Sequence, residues 1–132
     1  MSIRPYDAPN RIVSRIANAP MIVPATEVRL IVTTAGSREE AEAIARALVD
    51  DRLAACVNII PGLTSIYRWK GQVETAAEIL LLIKSSVGSL ERLESTLRRL
   101  HTYEVPEFLV LAPEFISEAY LDWLLDENGP VK

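Results

Sequence analysis

The segment HTYEVPE at residues 101–107 combines a histidine with two carboxylates. His101 is the single histidine of the chain, and Glu104 and Glu107 follow it within six positions. A zinc ion needs several such ligands to converge, with histidine nitrogens about 2.0–2.1 Å from the metal. His101 and Glu104 share a face only if a helix continues through them, and the residue before Pro106 favours an extended backbone. We therefore predict that one chain offers at most a two-ligand site for a divalent metal. The alternative is that His101 is a capping or surface residue.

Three aromatic residues and a lysine form a second candidate site. Tyr67, Trp69 and Lys84 fall near the ends of predicted strands, and Tyr103 lies inside the HTYEVPE segment. Such a set can line a pocket for a carboxylate or a phosphate. The same residues can equally be core side chains and the apolar stem of a lysine, so the residues alone leave both interpretations open.

Known catalytic motifs are missing from the sequence. There is no GxxxxGK[ST], GxSxG or HExxH pattern, so Ser–His–Asp or Cys–His chemistry would depend on His101. Cys56 lies among small apolar residues on a predicted strand, where cysteine is usually a small buried side chain. We therefore expect a protein that is not an enzyme, and ester or acyl-phosphate hydrolysis by His101 or Cys56 is the less favoured alternative.

Length and composition predict one globular domain. The chain has 132 residues and a net charge of -4, which argues against a nucleic-acid partner. Its single cysteine excludes an intrachain disulfide and fits a reducing compartment. The N-terminus does not read as a signal peptide, and no run of about 18 apolar residues could cross a membrane. We expect a cytoplasmic protein without a membrane partner.

Apolar periodicity predicts alternating strands and helices from Val28 onward. Strands are predicted at 28–34, 53–60, 72–84 and 108–112, and residues 63–69 show the alternation of a strand. Ser37 and Glu40 have capping-box spacing, so the first helix is predicted to begin there. Leucines recur every three or four residues after Gly88, which predicts a second helix. Ser117 is positioned to cap a short final helix.

The order β-α-β-β-α-β plus a terminal helix is typical of the ferredoxin-like, split βαβ arrangement. This is an α+β sandwich in which both helices cover one face of the sheet. Pro61-Gly62 predicts a turn, Lys70-Gly71 predicts a bend, and residues 70–77 are the longest candidate loop. Residues 1–26 contain four of the eight prolines and predict an extension that is mobile unless it docks. Residues 27–132 form the predicted domain.

The strand EILLLIK at residues 78–84 is apolar on both faces. Ile79, Leu81 and Ile83 point to one face, and Leu80 and Leu82 point to the other. An antiparallel sheet with one wet face should alternate apolar and polar residues. We therefore predict a closed homo-oligomer in which sheets pack on sheets. The alternative is that the N-terminal extension and the final helix cover this face within one chain.

Four segments resemble the CutA family in their order and spacing. They are RLAACVNIIPGLTSIYRWKG at 52–71, EILLLIKS at 78–85, HTYEVPE at 101–107 and YLDW at 120–123. The resemblance covers about residues 27–126. It implies a small cytoplasmic homotrimer with a ferredoxin-like fold, linked to divalent-cation tolerance and copper binding, whose trimer is similar to that of the PII signalling proteins.

The resemblance also implies a pocket between subunits. By position, that pocket would contain the two candidate sets described above, with His101 as the metal ligand; these residues are Tyr67, Trp69, Lys84, His101, Tyr103, Glu104 and Glu107. We expect it to bind copper, zinc or a small anionic ligand. The alternative is a PII-like module that binds an effector and docks on a partner protein.

Two positions depart from the family pattern. Thr102 stands where the family motif commonly has proline, and Thr33 stands near the position of a cysteine that some members carry. Without that thiol a soft Cu(I) site is disfavoured, whereas a borderline or hard divalent ion held by His101 and carboxylates is compatible with the residues present.

Overall fold

The computed structural model describes residues 21–129, and these form an α+β sandwich. Six strands and three α-helices follow one another along the described part of the chain. They are β1 (Ile22–Pro24), β2 (Val28–Ala35), α1 (Arg38–Asp50), β3 (Cys56–Trp69), β4 (Gln72–Ser86), α2 (Leu90–Leu100), β5 (Leu109–Leu111), β6 (Phe115–Ser117) and α3 (Glu118–Glu127). A short 3-10 helix, Val87–Ser89, joins β4 to α2.

The main sheet has the strand order β3-β4-β2-β5, and all its neighbours are antiparallel. This order places the first and third strands of the βαββαβ unit in the centre, as in the ferredoxin-like fold. The predicted fold class is therefore confirmed. Helices α1 and α2 pack together over one face of this sheet, and the main hydrophobic core lies between the two helices and the sheet.

The first helix begins where its capping signal predicts. The Ser37 hydroxyl accepts a hydrogen bond from the Glu40 N–H at 3.1 Å, which satisfies one of the free donors of the first turn. The Glu40 carboxylate accepts in turn from the Gly36 N–H at 3.2 Å. Apolar residues spaced three or four apart then face the sheet; the buried ones are Ala41, Ile44, Ala45 and Leu48.

A tight hairpin joins β3 to β4 at Lys70 and Gly71. Both residues have positive φ, 49° and 83°, as a two-residue type I′ turn requires. Trp69 pairs directly with Gln72 across this turn. The predicted bend is thus confirmed, but residues 70–77 do not form a loop, because all of them after Gly71 belong to β4.

The predicted turn at Pro61-Gly62 is wrong. The two predicted strands around it are one strand, β3, which begins at Cys56 rather than at residue 53. The register with β4 shifts between Ile60 and Leu63, so Pro61 and Gly62 form a bulge. Because β3 is the last strand in the sheet order, its proline removes no hydrogen bond from a central ladder, and Gly62 adopts a φ of 84° without a Cβ penalty.

A second, two-stranded sheet lies outside the predicted pattern. Strand β1 pairs antiparallel with β6, and Val23 lies opposite Ile116. Part of the predicted extension 1–26 is therefore paired with the body of the chain. The rest of that extension, residues 1–20, and the last three residues of the predicted domain, 130–132, lie outside the described residues.

The last helix is fixed to the sheet by a buried polar cluster at Asn128. Its side-chain amide donates to the hydroxyls of Ser86 and Ser89 at 2.7 and 2.8 Å and accepts from Ser85 at 3.2 Å. Asn128 is only 5% exposed, so these bonds satisfy a polar group that would otherwise be costly to bury.

The two faces of β4 differ in burial as alternation requires. Leu81 and Ile83 are fully buried under the helices, whereas Leu80 and Leu82 on the other face are half-buried. Edge strand β5 also leaves three large apolar side chains exposed in the single chain: Leu109, Val110 and Leu111. No helix among residues 21–129 is both long enough and apolar enough to span a membrane.

Candidate functional site

A cavity of about 630 Å³ lies between the β3–β4 hairpin and the segment 101–107. We call it the acidic pocket. Its walls carry three glutamates, five aromatic or hydroxyl-bearing residues and two aliphatic residues. The lining residues are Thr34, Ser65, Ile66, Tyr67, Trp69, Glu78, Tyr103, Glu104, Val105 and Glu107. The structure thus brings together five of the seven predicted site residues: Tyr67, Trp69, Tyr103, Glu104 and Glu107.

Glu78 provides a buried carboxylate in the acidic pocket. It lies on β4 and is only 8% exposed. Burial by itself raises the pKa of Glu78, but hydrogen bonds from Ser65, Tyr103 and Thr34 outweigh it, so its pKa lies below the usual value. Glu78 is therefore ionised at neutral pH, and three hydroxyl groups stabilise its charge.

Tyr103 links the segment 101–107 to this carboxylate. Its hydroxyl donates to Glu78 Oε2 at 2.6 Å. Burial and the adjacent Glu78 charge raise the pKa of Tyr103, so the phenol keeps its proton and acts as a donor. A Cβ added at Gly36 would come within 3.2 Å of the Tyr103 hydroxyl oxygen, so a glycine at this position makes room for the ring.

His101 is a structural residue in the single chain. Its side chain is fully buried, and its Nδ1 accepts the Tyr103 N–H at 3.0 Å. Nε2 therefore carries the proton and donates to the Thr34 carbonyl at 2.7 Å. Glu40 Oε2 lies 3.5 Å from Nδ1. Because both ring nitrogens are engaged, His101 can bind a metal ion only if one of these bonds breaks.

Thr102 makes a contact that the proline of the family motif cannot make. Its backbone N–H donates to Glu40 Oε2 at 2.8 Å, and proline has no N–H. Burial by itself raises the pKa of Glu40, whereas the hydrogen bonds from Thr102 and Gly36 lower it below the usual value. This departure from the family pattern therefore fixes the segment 101–107 to the start of α1.

Thr33 fixes the other end of the same segment. It is fully buried, and its hydroxyl donates to the Glu107 carbonyl at 2.6 Å. The second departure from the family pattern thus has a packing role, because it holds the backbone that presents Glu107 to the acidic pocket.

Lys84 does not line the acidic pocket of the single chain. It lies on β4 six residues beyond Glu78, or roughly 20 Å along the strand. Its ammonium group donates to the Asn58 side-chain carbonyl. Cys56, which pairs with Lys84 across the two strands, is partly buried and has a free thiol. The structure therefore separates the predicted lysine from the predicted aromatic residues.

A complete metal centre is not assembled within residues 21–129. No group of three or more His, Cys, Asp or Glu side chains in this range is placed to hold an ion. Glu104 and Glu107 line the acidic pocket together with Glu78, whereas the fully buried His101 does not. The predicted set of His101, Glu104 and Glu107 is therefore not complete in one chain.

Three polar residues of the pocket were not predicted from the sequence: Glu78, Thr34 and Ser65. The sequence does contain an indication for Glu78. It begins the apolar run EILLLIK, and a carboxylate next to buried strand residues is seldom buried unless it has polar partners. The sequence contains no such indication for Thr34 and Ser65, since their contact with Glu78 depends on strand register and not on local sequence.

Comparisons with known proteins agree with this fold. The family described as "CutA1 divalent ion tolerance protein" matches residues 29–127. The divalent-cation tolerance protein CutA of Thermus thermophilus is 47% identical over 100 residues, which cover 76% of this chain and 97% of that protein. Protein CutA of Homo sapiens is 44% identical over 91 residues, which cover 69% of this chain. The chain spans about half the length of the human protein, 51%.

Solved structures give the same result. The structure of CutA from Synechococcus elongatus PCC7942 superposes with a TM-score of 0.78 at 38% identity and covers 82% of this chain and 96% of that chain. A second structure of the Synechococcus protein is a complex with a Bis-Tris molecule and has a TM-score of 0.75 at 38% identity over 80% of this chain and 98% of that one. The described fold and the match over residues 29–127 establish that the chain belongs to the CutA1 divalent ion tolerance family.

Proposed function

We propose that the protein is a homotrimeric binding protein for divalent-cation tolerance and that its acidic pocket binds a cationic ligand. The charge of the pocket carries this proposal. Three carboxylates line the cavity, and its lining within the described chain includes no lysine, arginine or histidine. An anion would be repelled here, whereas a cation would be attracted, and one of the three charges, that of Glu78, is largely shielded from water.

The anionic ligand that the sequence suggested stays a prediction for a pocket between subunits. It depended on Lys84, whose ammonium group in a single chain lies outside the pocket and is bonded to Asn58. The CutA structure from Synechococcus elongatus in complex with Bis-Tris shows that a member of this family can hold a small amine-containing molecule.

A divalent metal ion is one candidate cation, because the family is described by divalent ion tolerance. Copper or zinc in the acidic pocket would take oxygen atoms from Glu104 and Glu107, with Glu78 behind them. Participation of His101 would first require the loss of a bond to Tyr103 or Thr34. The calorimetric test is titration of the wild type, the Glu104→Gln/Glu107→Gln variant and His101→Ala with zinc and copper salts. We expect the double variant to weaken binding; identical isotherms for all three proteins would remove the metal proposal.

Trimer formation is supported by the apolar surface that one chain leaves uncovered. On edge strand β5, Leu109 is 53% exposed and Leu111 is 46% exposed, and at the hairpin Ile66 is 71% exposed. An exposed strand edge with such side chains is a site for pairing with another copy. Sedimentation at micromolar concentration tests this part; a stable single-chain species would refute it.

A PII-like signalling role is the second candidate function. The long β3–β4 hairpin supplies its support, because Ile66 and Val73 near the tip are 71% and 63% exposed and could contact a partner protein. A pull-down with the wild type and the Ile66→Ser/Val73→Ser variant as the two baits tests this role. If both baits recover every protein equally, the hairpin is not the surface that contacts a partner. In both roles we expect binding without turnover, and the engagement of both His101 nitrogens disfavours this residue as a general base. Action in the cytoplasm stays a prediction.

A further inference from the structure

Resting on the proposed role of the acidic pocket as the ligand site, we propose that its ligand is a small organic amine in its protonated form, with N–H donors directed at the carboxylates and an apolar part against Tyr67 and Trp69. Four properties of the cavity support this ligand class: its charge, its free hydrogen-bonding groups, its aromatic wall and its size.

The charged groups that line the acidic pocket are all hydrogen-bond acceptors. The Tyr103 hydroxyl donates to Glu78 at 2.6 Å, and Ser65 and Thr34 also bond to that carboxylate. The hydroxyls of Tyr103, Ser65 and Thr34 are thus used by the protein itself, whereas the carboxylates of Glu104 and Glu107 are exposed. A ligand that complements this site must bring both positive charge and donors, as a protonated primary or secondary amine does.

The aromatic wall distinguishes an organic cation from a metal ion. Tyr67 and Trp69 line the cavity and are 44% and 42% exposed, so part of each ring is free for contact. Aromatic faces attract ammonium groups and pack against methylene groups. The Lys70 ammonium nitrogen already lies 5.8 Å from the centroid of the Trp69 ring, so the ligand would contact the part of this ring that Lys70 leaves free.

The size of the cavity leads to the same conclusion. A volume of about 630 Å³ falls in the range of small-molecule sites, roughly 300–1,000 Å³, and far exceeds that of a bare ion. A metal ion also needs ligand atoms that converge within about 2.0–2.6 Å, and residues 21–129 offer no group of three such side chains. An organic amine instead reaches separated carboxylates through its own chain.

An isosteric series tests the ligand class with the full-length protein. Butane-1,4-diamine, 1,4-butanediol and succinate share a four-carbon backbone but differ in charge at neutral pH. Calorimetry should detect binding of the diamine and at least tenfold weaker binding of the diol and succinate. Glu104→Gln/Glu107→Gln should weaken the diamine at least tenfold, whereas Glu39→Gln on the exposed face of α1 should leave it unchanged.

The outcomes separate this inference from the proposed function. Equal or tighter binding of the diol or succinate would overturn the amine class. Zinc binding that is lost in the double glutamine variant, without diamine binding, would overturn the amine and leave the cation-binding pocket standing. A diamine isotherm that is unchanged in the double variant would overturn both, because the bound amine would then lie elsewhere.

Discussion

Replacing Tyr103 by phenylalanine removes one oxygen atom from the centre of the acidic pocket. The lost hydroxyl donates to Glu78 at 2.6 Å, and Glu78 is only 8% exposed. A hydrogen bond to a charged group contributes about 1.5–3 kcal/mol to stability. Ser65 and Thr34 still bond to the carboxylate, so we expect the lower part of that range, about 1.5–2 kcal/mol per chain.

This loss should depend on pH in a specific way. The pKa of Glu78 is lowered in the folded protein, so its stabilising contribution is present above the unfolded value of 4.5 and is lost as the pH falls through the folded pKa. The pKa of Tyr103 is raised from 10.0, so the contribution of the neutral phenol is present below that value and is lost as the pH rises further. The difference between wild type and Tyr103→Phe should therefore be constant between about pH 5 and 10 and shrink on either side.

Urea unfolding followed by tryptophan fluorescence measures this difference. Protein concentration must be fixed, because subunit association would make the midpoint depend on it. Tyr67→Phe is the matched control: it removes the same atom from a tyrosine that is 44% exposed in the same cavity, and we expect less than about 0.5 kcal/mol. A difference that does not vary from pH 3 to 9, or one no larger than the control, would refute the role assigned to the Tyr103–Glu78 bond.

Three further substitutions test local features. Thr102→Pro removes the N–H that donates to Glu40. It should lower the free energy of unfolding by about 1–2 kcal/mol once the entropic gain from proline is included. An unchanged unfolding midpoint would mean that this bond is absent in solution. Ser37→Ala should cost about 1 kcal/mol in the same assay because the α1 cap is lost, and Ser37→Asp should restore most of it. Gly71→Ala should cost about 1–2 kcal/mol because φ is 83°, whereas Gly88→Ala, which meets no atom within 4 Å, should be close to neutral.

Local sequence signals were sufficient for the elements that depend on local contacts. The Ser37–Glu40 spacing located the start of α1, and Lys70-Gly71 located the hairpin, because a cap and a two-residue turn involve neighbours in sequence. The turn predicted at Pro61-Gly62 was wrong because contacts between residues distant in sequence determine the structure there. A proline followed by glycine usually ends a strand, but here the pairing of β3 with β4 on both sides carries the strand through it.

The candidate site was predictable in its members but not in their roles. The segment 101–107 and the aromatic residues of β3 do meet at one cavity. The histidine, however, is used internally, because the backbone of Thr34 and Tyr103 occupies both of its nitrogens. Sequence spacing cannot reveal such an engagement, since Thr34 lies 67 positions away and reaches His101 only after the sheet has formed.

The bulge in β3 restricts how another strand can lie beside it. Pro61 has no amide hydrogen, and the positive φ of Gly62 bends the chain. The outer edge of β3 therefore cannot pair continuously with another strand. A neighbouring chain can align with the half before the kink or with the half after it, but it cannot slide along the whole length. This geometry limits pairing to one of these two shorter segments and works against open-ended, fibre-like stacking of copies.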